Sequence, residues 1–220
     1  MSDKLLNVLK NTELNNRVFI LANAPSVANE NLTLLKNEIV IGMNASTILE
    51  KQFNFSSKYY VMSDKRFIMS SEKRQWATDK LSKTTIRFLR RELRDYDEPY
   101  LEKRTYYINS IARDGFSHNL SHGFYYGCTT TMLALQLAYY LGFQKTYLLG
   151  CDLRYQDENP RFYAEKNPQL EDSFISVQLA NIVNASIEYE KEGREIINCS
   201  AKSFLRPYLK HSSFSEALKG

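Results

Sequence analysis

Three consecutive hydroxyl residues, Thr129, Thr130 and Thr131, stand where a long apolar run begins, and Asp152 closes the shorter apolar run that follows. Threonine can cap a helix. The first amides of a helix lack intrahelical acceptors and sit at its positive end, which suits an anion such as phosphate. A carboxylate at a strand end is placed to share that crevice. The stretch Gly127 to Asp152 therefore reads as a helix start, a helix over Met132–Leu141, a stop at Gly142, a polar bridge at Gln144 and Lys145, a buried strand over Thr146–Leu149 and a final turn. The helix is apolar on nearly every side, which puts it at the centre of the molecule.

Small polar residues close the other apolar runs too. Arg17–Ala22 reads as a buried parallel strand, broken by Asn23-Ala24-Pro25-Ser26, after which Pro25 opens a helix through Leu34 and Leu35. Glu38–Met43 is a second strand ending at Asn44, with a helix over Ala45–Gln52. Lys58–Met62 is a third strand, ending at Ser63 and Asp64. Residues 65–82 read as broken helix carrying the one tryptophan, Trp76, and Thr84–Leu89 and Tyr106–Asn109 read as strands. Residues 110–126 and 153–170 read as loops. Glu171–Glu192 is a strong helix, Glu195–Cys199 a last strand followed by Ser200, and 201–220 short helical turns or a tail; residues 2–12 form an amphipathic helix.

This alternation predicts the α/β class: a Rossmann-like, mostly parallel sheet with helices on both faces, plus a small lid or insertion. Residues 1–220 form one domain, with 65–126 a candidate insertion or sub-lobe and 153–171 a candidate lid. Ligands in such sheets bind beyond the carboxyl ends of the strands. Those ends carry Asn23, Ala24, Ser26, Asn44, Ser63, Asp64 and Asp152, and the helix start adds Thr129 and Thr130. All but Ala24 are also ordinary helix-capping residue types, so the set is informative and no single member is.

Other motifs compete with blander explanations. Neither G-x-G-x-x-G nor G-x-x-x-x-G-K-[ST] is present, which disfavours a standard dinucleotide site and a P-loop. Asp95-Tyr96-Asp97 has the D-x-D form of a metal–sugar-nucleotide motif but sits in a charged stretch, so it reads as a solvated face; Arg87, Arg90, Arg91 and Arg94 read as a surface helix. His118 and His122 lie in the loop before the threonines, and His122 is the histidine placed to act as a general base. Cys128, Cys151 and Cys199 have no metal spacing and read as reduced packing thiols. Tyr155, Phe162 and Tyr163 are placed to close over a ring or anchor their loop.

A charge of +4 over 220 residues neither demands nor excludes an acidic ligand or membrane surface, and no aromatic–basic nucleic-acid motif is present. The N-terminus lacks the apolar core of a signal peptide, and no run approaches the ~20 apolar residues of a membrane span. The chain is expected in the cytoplasm, with the inner membrane face as a candidate contact.

Asn23-Ala24-Pro25-Ser26 after a first strand resembles the N-G-P-S turn of two related groups. One is the bacterial sialyltransferases that build lipo-oligosaccharide termini. The other is the 6-hydroxymethylpterin diphosphokinase-like family, whose bacterial members are related to flagellin-glycosylation proteins. Cys128–Tyr155 resembles the second signature of both groups: a hydroxyl-rich helix start, L-G-[FY], and a strand ending in G-x-D. The pterin-kinase-like family is the more similar, through Tyr139–Phe143 and Asn198-Cys199-Ser200. The correspondence runs from Val18 to about Leu209.

The sialyltransferase resemblance implies nucleotide-donor contacts for Asn23 and Asn44, phosphate or donor contacts for Thr129 and Thr130, and phosphate-holding hydroxyls for Tyr155 and Tyr163. It implies metal-independent transfer from a nucleotide-activated, CMP-type sugar to a cell-surface glycan such as lipopolysaccharide. Those enzymes carry a histidine base after the G-x-D strand. This chain has no histidine between Asp152 and Ser200, so the role falls to Asp152, Glu165, Asp172, Glu171 or His122. The pterin-kinase resemblance implies an ATP-dependent pyrophosphokinase in which Asp64 and Asp152 bind Mg2+. A third alternative is a non-catalytic nucleotide- or glycan-binding protein. A homo-oligomer is compatible with all three.

Overall fold

The computed structural model describes residues 6–155, 159–165 and 170–219. Its main sheet has eight strands: β1 (Arg17–Leu21), β2 (Val40–Met43), β3 (Tyr59–Met62), β4 (Ile86–Arg90), β5 (Thr105–Ile108), β8 (Lys145–Leu149), β9 (Glu195–Asn198) and β10 (Lys210–His211). The spatial order is β10-β9-β8-β1-β2-β3-β4-β5, and every neighbouring pair is parallel. The order reverses at β1, flanked by β8 and β2, and this switch point opens a crevice at the carboxyl edge. Residues 65–126 supply β4 and β5 to this sheet. They also supply a two-stranded parallel pair, β6 (Ser110–Ile111) and β7 (Phe124–Tyr125).

Period-two alternation explains why the strands are apolar throughout. Val18 and Ile20 of β1 enter one core with Tyr59 and Val61 of β3, whereas Phe19 and Leu21 enter the core on the opposite face. The first core is covered by α4 (Thr130–Leu141) and α5 (Ile175–Glu190). The second face is covered by α1 (Ser46–Phe53), α2 (Lys65–Met69), α3 (Ser71–Ala77) and α6 (Phe214–Ala217). All twelve residues of α4 are buried, as its uniformly apolar sequence predicts. Gly142 ends it in the left-handed conformation at φ +99°.

Four expectations need correction. The segment after Asn23 is not an α-helix but two 3-10 turns, Pro25–Asn29 and Leu32–Asn37. The cap position falls on Ala24, which has no side-chain acceptor, and the Ser26 hydroxyl bonds Asp152 instead. The arginine-rich stretch is a surface helix only in part: Arg91 and Arg94 are exposed on a 3-10 helix, Arg91–Tyr96, whereas Arg87 and Arg90 belong to β4. Arg87 lies on β4 with 0% of its side chain exposed, and its guanidinium donates two 2.8 Å bonds to Asp97, whose side chain is 1% exposed. The Tyr107 hydroxyl donates a third to Asp97 at 2.7 Å, so Asp97 is a buried counter-ion, while Asp95, the first aspartate of the D-x-D, is exposed as expected. Of the two alternatives for the C-terminal residues, short helical turns hold and a loose tail does not: α6 starts with a capping box of Ser213 and Glu216, and β10, which was not expected, extends the sheet. Only Leu6 and Asn7 of the N-terminal stretch are helical among the described residues. No helix among these residues is long and apolar enough to cross a membrane.

Candidate functional site

The carboxyl ends of β1, β2, β3 and β8 and the start of α4 enclose a cleft with about 720 Å³ of space, part of it open to solvent. Asn23, Ala24, Asn44, Asp64, Thr129, Thr130, Asp152 and Tyr155 line it, so eight of the sequence-predicted residues meet in one place. Ser26, Ser63 and Tyr163 sit behind this lining. His122 and Glu165 do not line it. His122 ends the 3-10 turn Leu120–His122, and Glu165 is ion-paired with Lys73.

The turn after β1 is built by side-chain staples. Asn23 donates from Nδ2 to the Met43 carbonyl at 3.2 Å and accepts at Oδ1 from the Ala45 amide at 3.1 Å. Its amide thus ties the end of β1 to the end of β2, and its second N–H is what it retains for a ligand. Ser26 donates from its hydroxyl to Asp152 Oδ1 at 2.5 Å and from its amide to Oδ2 at 3.3 Å, tying the turn to the end of β8. Gly150 lets these segments approach. It holds φ +67°, and a Cβ there would come within 2.9 Å of the Val27 Cβ and 3.0 Å of the Ala22 carbonyl.

Two successive left-handed residues, Gly127 (φ +51°) and Cys128 (φ +56°), turn the chain into α4. Thr129 caps the helix, accepting from the Thr131 amide at 3.3 Å. The Thr130 hydroxyl meets the fully buried Ser63 hydroxyl at 2.9 Å, so β3 fixes the helix start. The Thr130 amide, the first of the helix, has no acceptor within it and borders the cleft. Asn44 sits in the left-handed region (φ +50°), and its buried Oδ1 has no hydrogen-bond partner among the described residues. An acceptor left bare in a cleft wall is costly unless a ligand supplies the donor.

Cationic side chains complete the wall. Arg66, Arg154 and Arg161 all line the cleft. Arg66 is held by Asp64 at 3.0 Å, while Arg154 and Arg161 form no ion pair among the described residues. Arg161 lies over the Tyr155 ring at 4.9 Å and close to the hydroxyls of Tyr155 and Tyr163. Burial pushes both phenols above their ordinary range, and the Glu165 charge adds to this at Tyr163, so both keep their protons as donors. The segment 159–165 is seated on the site: the Phe162 amide donates to the Asn23 carbonyl at 3.1 Å, and Tyr163 packs edge-on against Trp76 at 5.1 Å.

Asp172 also lines the cleft, with Oδ1 accepting from the Phe174 amide and Oδ2 from Gln178 Nε2, both at 2.9 Å. It makes no ion pair among the described residues. The thiols are inert by comparison. Burial pushes Cys151 up to about 12, and burial together with Asp114 and Asp172 raises Cys128. Reading strand ends alone misses Arg66, Arg154 and Arg161. Arg66 belongs to the charged Ser63–Arg66 run that follows β3, whereas Arg161 lies in a loop with no periodicity to mark it.

No protein-family model and no curated protein matches the sequence. Several solved structures share the fold, among them the following two. The MAf glycosyltransferase from Magnetospirillum magneticum AMB-1 aligns with a TM-score of 0.65 at 15% identity, covering 94% of this chain and 34% of that one. The sialyltransferase CstII from Campylobacter jejuni, in complex with a substrate analogue, cytidine-5'-monophosphate, aligns with a TM-score of 0.56 at 12% identity, covering 90% of this chain and 85% of that one. The chain thus spans about a third of the first protein's length. Neither comparison supports the pterin-kinase resemblance. What these structures and this chain have in common is the mostly parallel, Rossmann-like sheet with helices around it.

Proposed function

We propose that the chain is a glycosyltransferase that binds a CMP-type sugar donor in this cleft and transfers the sugar to a glycan acceptor, such as one of lipopolysaccharide. The observation that carries the proposal is the gathering, in one crevice, of a helix start, two arginines and an Asn44 acceptor that have no carboxylate or hydrogen-bond partner, respectively, among the described residues. A nucleotide monophosphate matches all three: phosphate for the helix start and Arg161, and a base or ribose donor for Asn44 Oδ1. The CMP complex of a protein with the same fold is in keeping with it.

Transfer is a direct displacement. The acceptor hydroxyl oxygen attacks the anomeric carbon as the bond from that carbon to the phosphate oxygen breaks. The bonding pair stays on phosphate, where the Thr130 amide, Arg161 and the protonated Tyr155 stabilise it. The acceptor proton passes to Asp172. Asp152 is the less suited carboxylate, because it is only 6% exposed whereas Asp172 is partly exposed; through Ser26 its role is to hold the turn. Asp64 and Asp152, which the pyrophosphokinase alternative assigns to Mg2+, are engaged by Arg66 and Ser26. No cluster of three or more His, Cys, Asp or Glu side chains forms a metal site among the described residues.

CMP is expected to raise the melting temperature in excess chelator, and to do so more than ATP. Arg161→Ala is expected to weaken CMP binding about 10-fold or more, the loss of a charge-assisted phosphate contact. A shift with ATP and Mg2+ alone would favour the pyrophosphokinase instead. CMP binding without turnover of any CMP-sugar would favour the non-catalytic alternative.

A further inference from the structure

Residues 159–165 form no helix or strand, yet they bring Arg161 to the cleft wall. An arginine on an irregular segment has many rotamers to lose when it binds an anion. Whatever fixes the segment therefore sets how well the guanidinium can act, because a group held in place beforehand loses less on binding.

The segment is gripped from outside the cleft by α3. Lys73 and Trp76 stand three residues apart on that helix and so share a face. Neither lines the cleft. Lys73 pairs with Glu165, whose side chain is 9% exposed against 27% for the lysine. Trp76 packs edge-on against Tyr163 at 5.1 Å and is backed by Phe67 of α2 at 5.9 Å. The helix itself is anchored: Ser70 caps it, accepting from the Lys73 amide at 3.4 Å, and Ala77 is fully buried.

The grip reaches the arginine by direct contact. Arg161 meets the Tyr163 hydroxyl on one side and the Tyr155 ring at 4.9 Å on another. Its neighbour Phe162 donates its amide to the Asn23 carbonyl at 3.1 Å, which ties the chain beside Arg161 to the end of β1. Glu165 does not oppose an anion in the cleft, since its charge is matched by Lys73 and it lies outside the lining.

We infer that Lys73 is a positioning residue for donor binding: through Glu165 it keeps Arg161 aimed at the donor phosphate, a role that rests on the nucleotide reading of the cleft. Lys73 touches no part of the nucleotide. Without it the Glu165 carboxylate is left nearly buried with no cation, and a carboxylate in that state draws its segment toward water. Arg161 leaves the cleft wall with it. Linkage makes the effect reciprocal, so a nucleotide held by Arg161 also holds the segment in place.

The experiment follows hydrogen exchange at the Phe162 amide, together with CMP affinity, in the whole chain. Lys73→Met is expected to exchange about 10-fold faster at Phe162, with the Ile20 amide of β1 unchanged, the pattern of a local opening. CMP should slow exchange at Phe162 in the parent. Lys73→Met should weaken CMP binding about 5-fold, whereas Lys73→Arg, which keeps the ion pair, should cost no more than about twofold. In an Arg161→Ala background, Lys73→Met should cost no more than about a further twofold, because the lysine acts through the arginine. Three results would each overturn this role: unchanged exchange at Phe162 in Lys73→Met, unchanged CMP affinity in that variant, or losses that multiply in full with Arg161→Ala. Faster exchange in Lys73→Met with no CMP binding to the parent would sink the nucleotide reading and leave the grip on the segment standing.

Discussion

Asp172→Asn is expected to lower the rate of sugar transfer by about 10²–10⁴-fold while changing CMP affinity by no more than about twofold, the pattern of a lost general base. Asparagine keeps the shape of Asp172 and the bond from the Phe174 amide, but it cannot accept the acceptor proton. The case for this residue is geometric. A base for an incoming acceptor must face both the donor and solvent, and Asp172 is a partly exposed cleft carboxylate without a cation partner among the described residues. Gln178 holds its second oxygen, which fixes its direction. The measurement is single-turnover transfer from a CMP-sugar alongside a CMP titration. Asp152→Asn supplies the contrast: Asp152 anchors the turn through Ser26, so its loss should weaken CMP binding along with turnover. An Asp172→Asn enzyme with unchanged turnover would remove the residue from the mechanism.

Arg87→Met is expected to be the most damaging single change to stability, by about 3–5 kcal/mol, because it leaves Asp97 buried without its counter-charge. For a chain of this size that corresponds to a melting temperature lowered by roughly 6–20 °C. Arg87 also donates to the Thr105 hydroxyl at 2.9 Å, so the same change loosens β4 from the end of the sheet. The double variant Arg87→Met, Asp97→Asn should recover a large part of the loss, since a neutral amide still accepts from Tyr107 without a buried charge. Thermal unfolding followed by circular dichroism checks both. An Arg87→Met protein that melts within about 2 °C of the parent would mean that the pair contributes no more than an exposed one.

The sheet was legible because its signals are local and redundant. The apolar runs that became β1, β2, β3, β8 and β9 are short, bounded by polar residues and spaced for crossover connections. The start of α4 could be read from the three threonines and its end from Gly142. The site was half legible for the same reason: residues that end strands are placed by the fold itself, and Asn23, Asn44, Asp64 and Asp152 converge because four parallel strands end together.

What stayed hidden depends on partners distant in sequence. Arg87 looks like one of four surface arginines until Asp97 is seen folded back onto it from ten residues away. Ser26 looks like a helix cap until its hydroxyl is found on Asp152, 126 residues later, inside a 3-10 turn whose cap position is Ala24. Arg161 lies in an irregular segment with no pattern of its own. Asp172 was one of several carboxylates until the cleft separated it from Glu165, whose charge is matched by Lys73.

In the proposed complex the nucleotide phosphate sits on the start of α4. A crystal of the chain soaked with CMP tests it most directly. Phosphate oxygens are expected within hydrogen-bond distance of the Thr130 amide and the Arg161 guanidinium, with a nucleoside hydrogen-bond donor on Asn44 Oδ1. CMP bound in the cleft with its phosphate turned away from Thr129 and Thr130, or bound elsewhere on the molecule, would contradict it.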